Sequence, residues 1–197
     1  MQEVQAGVWY WTAPHPEWTP PSDWAMGDVS SYAIEDGERL LLFDPLAAPN
    51  EIEELAAGRD RAIVLTSPWH QRDAIDLAER LGAPIYVPPP DRDPDPIQGR
   101  VFTAGDRLPV GIEAFPGREE PFDLMLWVEN RKALVAGDTL VDRGQGIELV
   151  DAWLPEGVTR EQVLEAMQPL LELPVELVLP THGPPTDRAA LERALAA

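Results

Sequence analysis

The 197-residue sequence contains no cysteine, a single lysine (Lys132) and only three histidines. Without cysteine, the chain cannot form a disulfide, a thiolate metal ligand or a thiol nucleophile. Any metal ion would therefore have to be held by histidine and carboxylate side chains. Because lysine and histidine are both scarce, arginine supplies nearly all of the positive charge.

Long apolar runs are also missing. No stretch approaches the roughly 20 apolar residues that span a bilayer. The first residues, Met1 to Val4, have neither the basic start nor the apolar run of a signal peptide. These two observations predict a cytoplasmic protein.

Positive charge is outnumbered throughout the chain: 15 basic residues stand against 35 acidic ones, for a formal net charge of −20. Such a surface repels the phosphate backbone of nucleic acids and anionic lipid headgroups. The composition therefore argues against nucleic-acid and membrane partners and favours a small molecule as ligand or substrate. It is compatible with a homo-oligomer.

The sequence does have enough apolar residues for a sizeable core, at 44% hydrophobic with seven tryptophans. A length of 197 residues fits one domain. The 22 prolines lie between periodic segments, which is typical of rigid loops rather than of a disordered tail. We expect a single domain over residues 1–197.

The apolar pattern predicts alternating strands and helices. Residues 4–11 favour a first strand, and Asp36-Gly37 predicts a hairpin turn between strands 31–35 and 39–43, since glycine tolerates positive φ. Further strands are predicted over residues 62–65, 84–87, 111–115, 124–128, 133–136 and 176–179.

Four helices are predicted from caps and helical spacing. They begin after Asn50, at Ala74, after Thr159 with Gln162 as a capping box, and from Asp187. The helix at Ala74 lies between two apolar strands, which indicates a βαβ unit and a partly parallel sheet. The proline- and aspartate-rich stretch 87–100 is predicted to be a surface loop.

Three landmarks follow one another in a diagnostic order. Ala62–Thr66 runs into a turn that carries His70 and Asp73, Ala136–Leu140 has Gly-Asp-Thr at its centre, and Leu179–Gly183 contains Thr-His-Gly. Over nearly the whole chain this arrangement resembles the metallo-β-lactamase superfamily, including its glyoxalase-II-like hydrolases. The resemblance implies an α/β fold, a four-layer αβ/βα sandwich with mixed sheets, and a site at one edge of the sheets.

The same resemblance implies that most of the family's metal ligands are replaced here. The family's His-x-His-x-Asp-His element corresponds to Thr66–Asp73. Anchored on Thr66 it retains no histidine ligand; anchored on the following helix, His70 takes the second His position, Arg72 replaces the Asp and Asp73 replaces the last His. The family's Pro-Gly-His element reads Pro116-Gly117-Arg118. Asp138 and His182 occupy matching positions.

Two functions are compatible with this altered set. In the first, the protein is a metal-free binding or regulatory domain for a small ligand, with Arg72 or Arg118 neutralising Asp138. In the second, one Zn, Mn or Fe ion activates water to attack an ester, thioester or lactone. Its ligands would be His70, Asp73, Asp138 and His182. The ligand losses favour the first function, for which no cofactor is expected.

A pocket is predicted around these residues. Its candidate lining comprises His15, Trp18, Trp24, Trp69, Arg72, Arg118 and Trp153. If the loop tryptophans cluster, the pocket favours an aromatic or hydrophobic ligand. Each polar residue also has a structural alternative: Asp138 as a turn cap, His182 bonded to backbone, His70 as a helix-start residue and His15 exposed on its loop.

Overall fold

The computed structural model describes residues 1–19, 27–91 and 96–196. Its first sheet contains seven strands, which lie side by side in chain order: β1 (Gln2–Gln5), β2 (Val8–Pro14), β3 (Asp28–Asp36), β4 (Arg39–Phe43), β5 (Asp60–Val64), β6 (Ile85–Val87) and β7 (Arg100–Val101). Strands β1 to β4 pair antiparallel, and β4 to β7 pair parallel. The sheet is therefore mixed.

The second sheet is also mixed. Its strands are β8 (Arg107–Leu108), β9 (Ile112–Pro116), β10 (Leu124–Val128) and β11 (Ala133–Gly137). A separate two-stranded hairpin follows, β12 (Val141–Asp142) with β13 (Ile147–Glu148), and then β14 (Leu177–Pro180) and β15 (Thr186–Asp187) complete the sheet. The spatial order is β15-β14-β11-β10-β9-β8, with β11 and β14 parallel.

Helices cover the outer face of each sheet. They are α1 (Glu51–Ala56), α2 (Ala74–Leu81), α3 (Arg160–Met167) and α4 (Arg188–Ala196). The helices α1 and α2 pack on the first sheet, and α3 and α4 pack on the second. A third apolar cluster fills the space between the sheets. This arrangement confirms the predicted four-layer α/β sandwich with mixed sheets.

Strand β10 shows why the central strands are apolar at every position. Leu124, Leu126 and Val128 pack between the sheets, whereas Met125 and Trp127 face the α3 and α4 layer. Both faces of the strand are buried, so a continuous apolar run is required rather than an alternating one. No helix among the described residues is long and apolar enough to cross a membrane.

The prediction of one strand over residues 4–11 was wrong. Gly7 has φ +74° and divides this stretch into the antiparallel strands β1 and β2. A Cβ at Gly7 would lie 2.9 Å from Nη2 of Arg131, so the position also requires the absence of a side chain. Strand β2 continues to Pro14, beyond the predicted end.

Three other expectations are confirmed or corrected locally. The capping box of Thr159 and Gln162 is present, but α3 ends at Met167, and the chain continues as a 3₁₀ turn over Gln168–Glu172 that has proline near its start. The side chain of Asn50 does not cap α1. The stretch 87–100, predicted to be a loop, ends in the first residue of strand β7.

Candidate functional site

The carboxyl ends of five strands meet at one edge of the paired sheets. Strands β4 and β5 run parallel, as do β11 and β14, and β9 points the same way as β11 because both are antiparallel to β10. A polar residue follows each of these strands: Asp44 after β4, Thr66 after β5, Arg118 after β9, Asp138 after β11 and His182 after β14. Residues that are far apart in sequence therefore lie close together at this edge.

A cavity of about 400 Å³ opens at this edge. Its described lining consists of His15, Val29, Trp69, His70, Arg72, Arg118, Asp138, Trp153 and His182. This volume is in the range of cavities that hold small organic ligands. The lining combines apolar rings with a small number of charged groups, which is the composition expected of a binding pocket.

Backbone and side-chain hydrogen bonds fasten the two sheets together beside the cavity. Ser30 N donates to the carbonyl of Thr181 at 2.8 Å, and Ser30 Oγ donates to the carbonyl of Gly183 at 2.8 Å. The hydroxyl of Tyr32 donates to the carbonyl of Pro180 at 2.6 Å. We call this set of bonds between β3 and the end of β14 the sheet clasp.

Asp44 lies buried beneath the floor of the site. Its carboxylate accepts from Thr66 N at 2.9 Å and from Thr66 Oγ1 at 2.6 Å. Its Oδ2 also lies 3.2 Å from His70 Nδ1. Burial by itself would raise the pKa of Asp44, but His70 and the hydrogen bonds more than offset burial and hold it below its usual range. Asp44 is therefore ionised.

His70 lies between two carboxylates. Its Nε2 is 3.2 Å from Asp138 Oδ2, and its Nδ1 is 2.9 Å from Thr66 Oγ1, whose proton is already donated to Asp44. Both ring nitrogens therefore act as donors. Burial alone would lower the pKa of His70, but Asp138 and Asp44 raise it to about 9. His70 is an imidazolium cation at neutral pH.

Asp138 is surrounded by positive or polar groups. Besides His70, its Oδ2 lies 3.8 Å from Arg118 Nη2, and its Oδ1 lies 3.6 Å from His182 Nε2. Burial would raise the pKa of Asp138, but these neighbours hold it well below its usual range. The carboxylate is consequently charged and compensated by protein groups.

Arg118 is held on three sides. Its Nη1 donates to the carbonyl of Trp153 at 2.5 Å, its Nε lies 3.3 Å from Asp123 Oδ2, and its guanidinium lies over the Trp153 ring, 5.5 Å from the centroid. Asp123 also accepts from Thr139 Oγ1 at 2.7 Å. Burial and the nearby Asp138 carboxylate raise the pKa of Asp123.

Gly137 allows β11 to end against this buried network. It has φ +56°, and a Cβ there would lie 2.8 Å from Asp123 Oδ1 and 3.2 Å from Thr66 Oγ1. A side chain would therefore displace groups that hold Arg118 and Asp44. Glycine is required at the end of β11 by this close approach as well as by backbone conformation.

His182 occupies the other side of Asp138. Its ring meets the Trp153 ring edge-to-face, with centroids 6.1 Å apart, and its Nδ1 is buried without a hydrogen-bond partner among the described residues. Burial and the neighbouring cations His70 and Arg72 lower its pKa to about 4. His182 is therefore neutral, unlike His70.

Arg72 lies on the cavity wall in a strained backbone conformation. Its φ of +41° belongs to the left-handed region that favours glycine. Nη1 donates to the carbonyls of Asp44 at 2.6 Å and Ser30 at 3.1 Å. No carboxylate of the described residues lies within 4 Å of this guanidinium, in contrast to that of Arg118.

The other predicted site residues divide between the cavity and its surroundings. Trp69, 38% exposed, and His15 line the cavity. Asp73 lies elsewhere, since its Oδ2 accepts from Ala47 N at 2.6 Å. Trp18 lies against Gly27 and is absent from the described lining, and Trp24 falls outside the described residues.

Sequence reasoning missed several residues of the site, including Asp44. Val29 lines the cavity, and the pair of Asp123 and Thr139 holds Arg118. A signal for Asp123 was available, because a charged residue directly before the fully apolar strand β10 has to find a partner when it is buried. Val29 gave no signal, since an apolar residue at a strand start is ordinary.

Three contacts of the described residues bear on metal binding at this site. Both nitrogens of His70 face acceptors, the Asp73 carboxylate is bonded elsewhere, and a guanidinium approaches Asp138. Across residues 1–19, 27–91 and 96–196, no group of three or more His, Asp or Glu side chains is arranged to hold an ion.

The state of His70 predicts a pH dependence of stability. Its pKa is 6.5 when unperturbed and about 9 in the folded chain, so its stabilising contribution is complete below pH 6.5 and is lost as the pH rises to about 9. We expect the free energy of unfolding in urea to fall over this range. In His70→Gln this component should vanish, and an equal fall in both proteins would contradict the assignment.

The comparisons with known proteins identify structural relatives. No protein-family model matches the chain, and no curated protein sequence matches it at a significant level. Among solved structures, TTHA1623 in a di-iron-bound form is 26% identical with a TM-score of 0.62, covering 84% of this chain and 93% of that chain. The metallo-β-lactamase from Pontibacter korlensis is 18% identical with a TM-score of 0.67, covering 99% and 96%. The DIM-1 metallo-β-lactamase is 15% identical with a TM-score of 0.68, covering 99% and 94%.

Proposed function

We propose that this chain, which has the metallo-β-lactamase fold, works without a metal ion as a binding or regulatory domain for a small molecule. One observation carries the proposal. The Asp138 carboxylate lies 3.2 Å from the His70 imidazolium and 3.8 Å from the Arg118 guanidinium. Protein cations thus supply the positive charge that a metal ion would bring to this carboxylate.

The magnitude of the repulsion supports this assignment. At an effective dielectric constant of about 20, two like unit charges about 4 Å apart repel by about 4 kcal/mol, and a divalent ion doubles this. An ion bound to Asp138 would lie close to the Arg118 guanidinium, whose Nη2 is 3.8 Å from that carboxylate, and His70 would have to lose its proton to bind the ion. The ion would also have to displace the hydrogen bond between His70 and Asp138.

The lining of the cavity supports binding rather than covalent catalysis. Its described residues include no serine, threonine or lysine nucleophile, and the Asp138 carboxylate is paired with His70 and Arg118. The cavity is preformed, because the sheet clasp and the Asp44–Thr66 bonds hold its walls. A preformed pocket loses little conformational entropy when a ligand binds.

Metal analysis tests the proposal directly. Untagged protein is expected to contain Zn, Mn and Fe far below one ion per chain by mass spectrometry. Added zinc should leave the thermal midpoint unchanged, since a ligand stabilises a fold only when it binds the folded state. The same zinc titration of Asp138→Ala and His182→Ala serves as the matched comparison, because any zinc effect at this site requires those side chains.

A second candidate is a mononuclear hydrolase of an ester, thioester or lactone. It is favoured by the approach of both His70 and His182 to Asp138, and by the di-iron-bound form of TTHA1623. Close to one ion per chain, lost in Asp138→Ala and in His182→Ala, would support this candidate and overturn the metal-free proposal. Ester and lactone assays would then follow.

A further inference from the structure

The cavity wall carries cationic groups although the chain as a whole is acidic. The protein has a formal net charge of −20, yet its cavity presents two guanidinium groups, and Asp138 is the only carboxylate of the described lining. An acidic surface repels anions in general, so an anion would bind here only by making close contacts with a guanidinium group of the cavity. The availability of each guanidinium therefore decides whether an anion can bind.

Arg72 is the group that such an anion would meet. Arg118 is compensated by Asp123 and Asp138, whereas Arg72 has no carboxylate of the described residues within 4 Å. Only its Nη1 donates to the protein in the part of the chain that the structure describes, which leaves Nε and Nη2 for a ligand. The Asp44 and Asp138 carboxylates stabilise the charge of Arg72 without a direct ion pair, so a bound anion would add the close contact that this half-buried guanidinium lacks.

The backbone at Arg72 points to the same role. A φ of +41° is unfavourable for a residue with a Cβ, and such strain persists where it aims a side chain at a functional site. The two carbonyls that accept from Nη1 belong to Ser30 in β3 and to Asp44 directly after the neighbouring strand β4. These two hydrogen bonds fix the plane of the guanidinium. The remaining donors, Nε and Nη2, therefore lie in a fixed orientation that suits two parallel hydrogen bonds to an anion.

Two indole rings form the apolar part of the cavity. Trp153 is pinned by the Arg118 guanidinium and by the ring of His182. Trp69 is 38% exposed at the rim and meets His70 edge-to-face at 6.4 Å. Exposed indole at a pocket rim is available to stack on an aromatic or apolar ligand body.

We infer that the cavity binds an organic oxyanion, a carboxylate or a phosphate monoester carried on an aromatic or apolar body, with the anion on the free edge of Arg72 and the body between Trp69 and Trp153. The inference rests on the proposed metal-free function and adds the chemical class of the ligand. A carboxylate fits the guanidinium fork with two parallel hydrogen bonds, and a phosphate monoester offers the same pair of oxygens.

Calorimetric titration with three matched probes tests the inference: 2-naphthoate, 2-naphthyl phosphate and the neutral 2-naphthamide. The protein is treated with a chelator, in buffer without phosphate or sulfate. Both anions should bind about tenfold or more tightly than the amide, since a hydrogen bond to a charged group contributes at least that factor. The stronger of the two anions identifies the headgroup.

Three variants separate the head of the ligand from its body. Arg72→Gln should weaken both anions by about tenfold or more and leave the amide unchanged. Trp69→Ala should weaken all three probes alike. Arg107→Gln, the same substitution at an exposed side chain paired with Glu113, should change none of them. Thermal midpoints establish that each variant is folded.

Each contrary outcome has a distinct meaning. Equal binding of amide and anions, or unchanged anion binding in Arg72→Gln, would overturn this inference and leave the metal-free function standing. Anion binding that appears only after zinc is added would overturn the metal-free function itself. Absence of binding by all three probes, with and without zinc, would overturn the inference on the ligand class.

Discussion

Replacing His70 with alanine is expected to lower the free energy of unfolding by about 3–5 kcal/mol, the cost of removing one partner from a buried ion pair. The imidazolium lies 3.2 Å from a carboxylate oxygen of both Asp44 and Asp138. Its removal leaves two buried carboxylates facing an empty space. Urea unfolding followed by tryptophan fluorescence measures the loss, and a change below about 1 kcal/mol, the range of exposed ion pairs, would contradict the assigned role.

A double substitution isolates the electrostatic part of this loss. In the double variant His70→Ala/Asp138→Ala, one of the two unpaired carboxylates is absent. The double variant should therefore lose less free energy of unfolding than the sum of the losses in the two single variants. His15→Ala is the matched control for loss of an imidazole, because His15 also lines the cavity but is only half-buried. Strict additivity would indicate that His70 acts by packing alone.

Replacing Gly137 with alanine is expected to lower the free energy of unfolding by about 2–5 kcal/mol. About 1–2 kcal/mol comes from a Cβ in the left-handed region, here φ +56°. The rest is overpacking, typically about 1–3 kcal/mol, since the new Cβ would lie 2.8 Å from Asp123 Oδ1. Asp123 is fully buried and tied to Thr139, so it has no space into which to withdraw.

Gly82→Ala is the matched control for the backbone contribution. Gly82 has φ +63°, close to the value at Gly137, and a Cβ there would meet no atom within 4 Å. The difference between the two variants in the free energy of unfolding therefore measures the steric contact alone. If both variants lost the same free energy of unfolding, the steric contact between the new Cβ and Asp123 would make no contribution, which would contradict the prediction.

Much of the fold was predictable because its strongest signals are local. The hairpin at Asp36-Gly37 and the apolar run of β10 follow from turn chemistry and burial on both faces. The turn at Gly7 escaped prediction, because aromatic and β-branched residues continue on both sides of it. A single glycine inside such a stretch does not distinguish a bulge from a reversal.

The site was harder to predict because its contacts are not local. The hydrogen bond between His70 and Asp138 joins residues 68 positions apart, and only the family resemblance indicated that they meet. The same resemblance placed Asp73 with them, yet its carboxylate bonds to Ala47 N. The charge of Arg72 was evident from the sequence. That its guanidinium bonds to backbone carbonyls of Ser30 and Asp44, and not to a carboxylate, depends on the packing of β3 and β4.

The sheet clasp has a kinetic consequence for ligand exchange. Because Ser30 and Tyr32 tie β3 to the end of β14, the cavity cannot widen by separating the two sheets without breaking buried hydrogen bonds. Among residues 1–19, 27–91 and 96–196, the rim side chain most open to solvent is Trp69, which is 38% exposed. Exposed side chains change rotamer in picoseconds to nanoseconds, whereas opening of a fold takes microseconds or longer. Ligands should therefore enter and leave at rates set by encounter and affinity, with no slow isomerisation step of the protein.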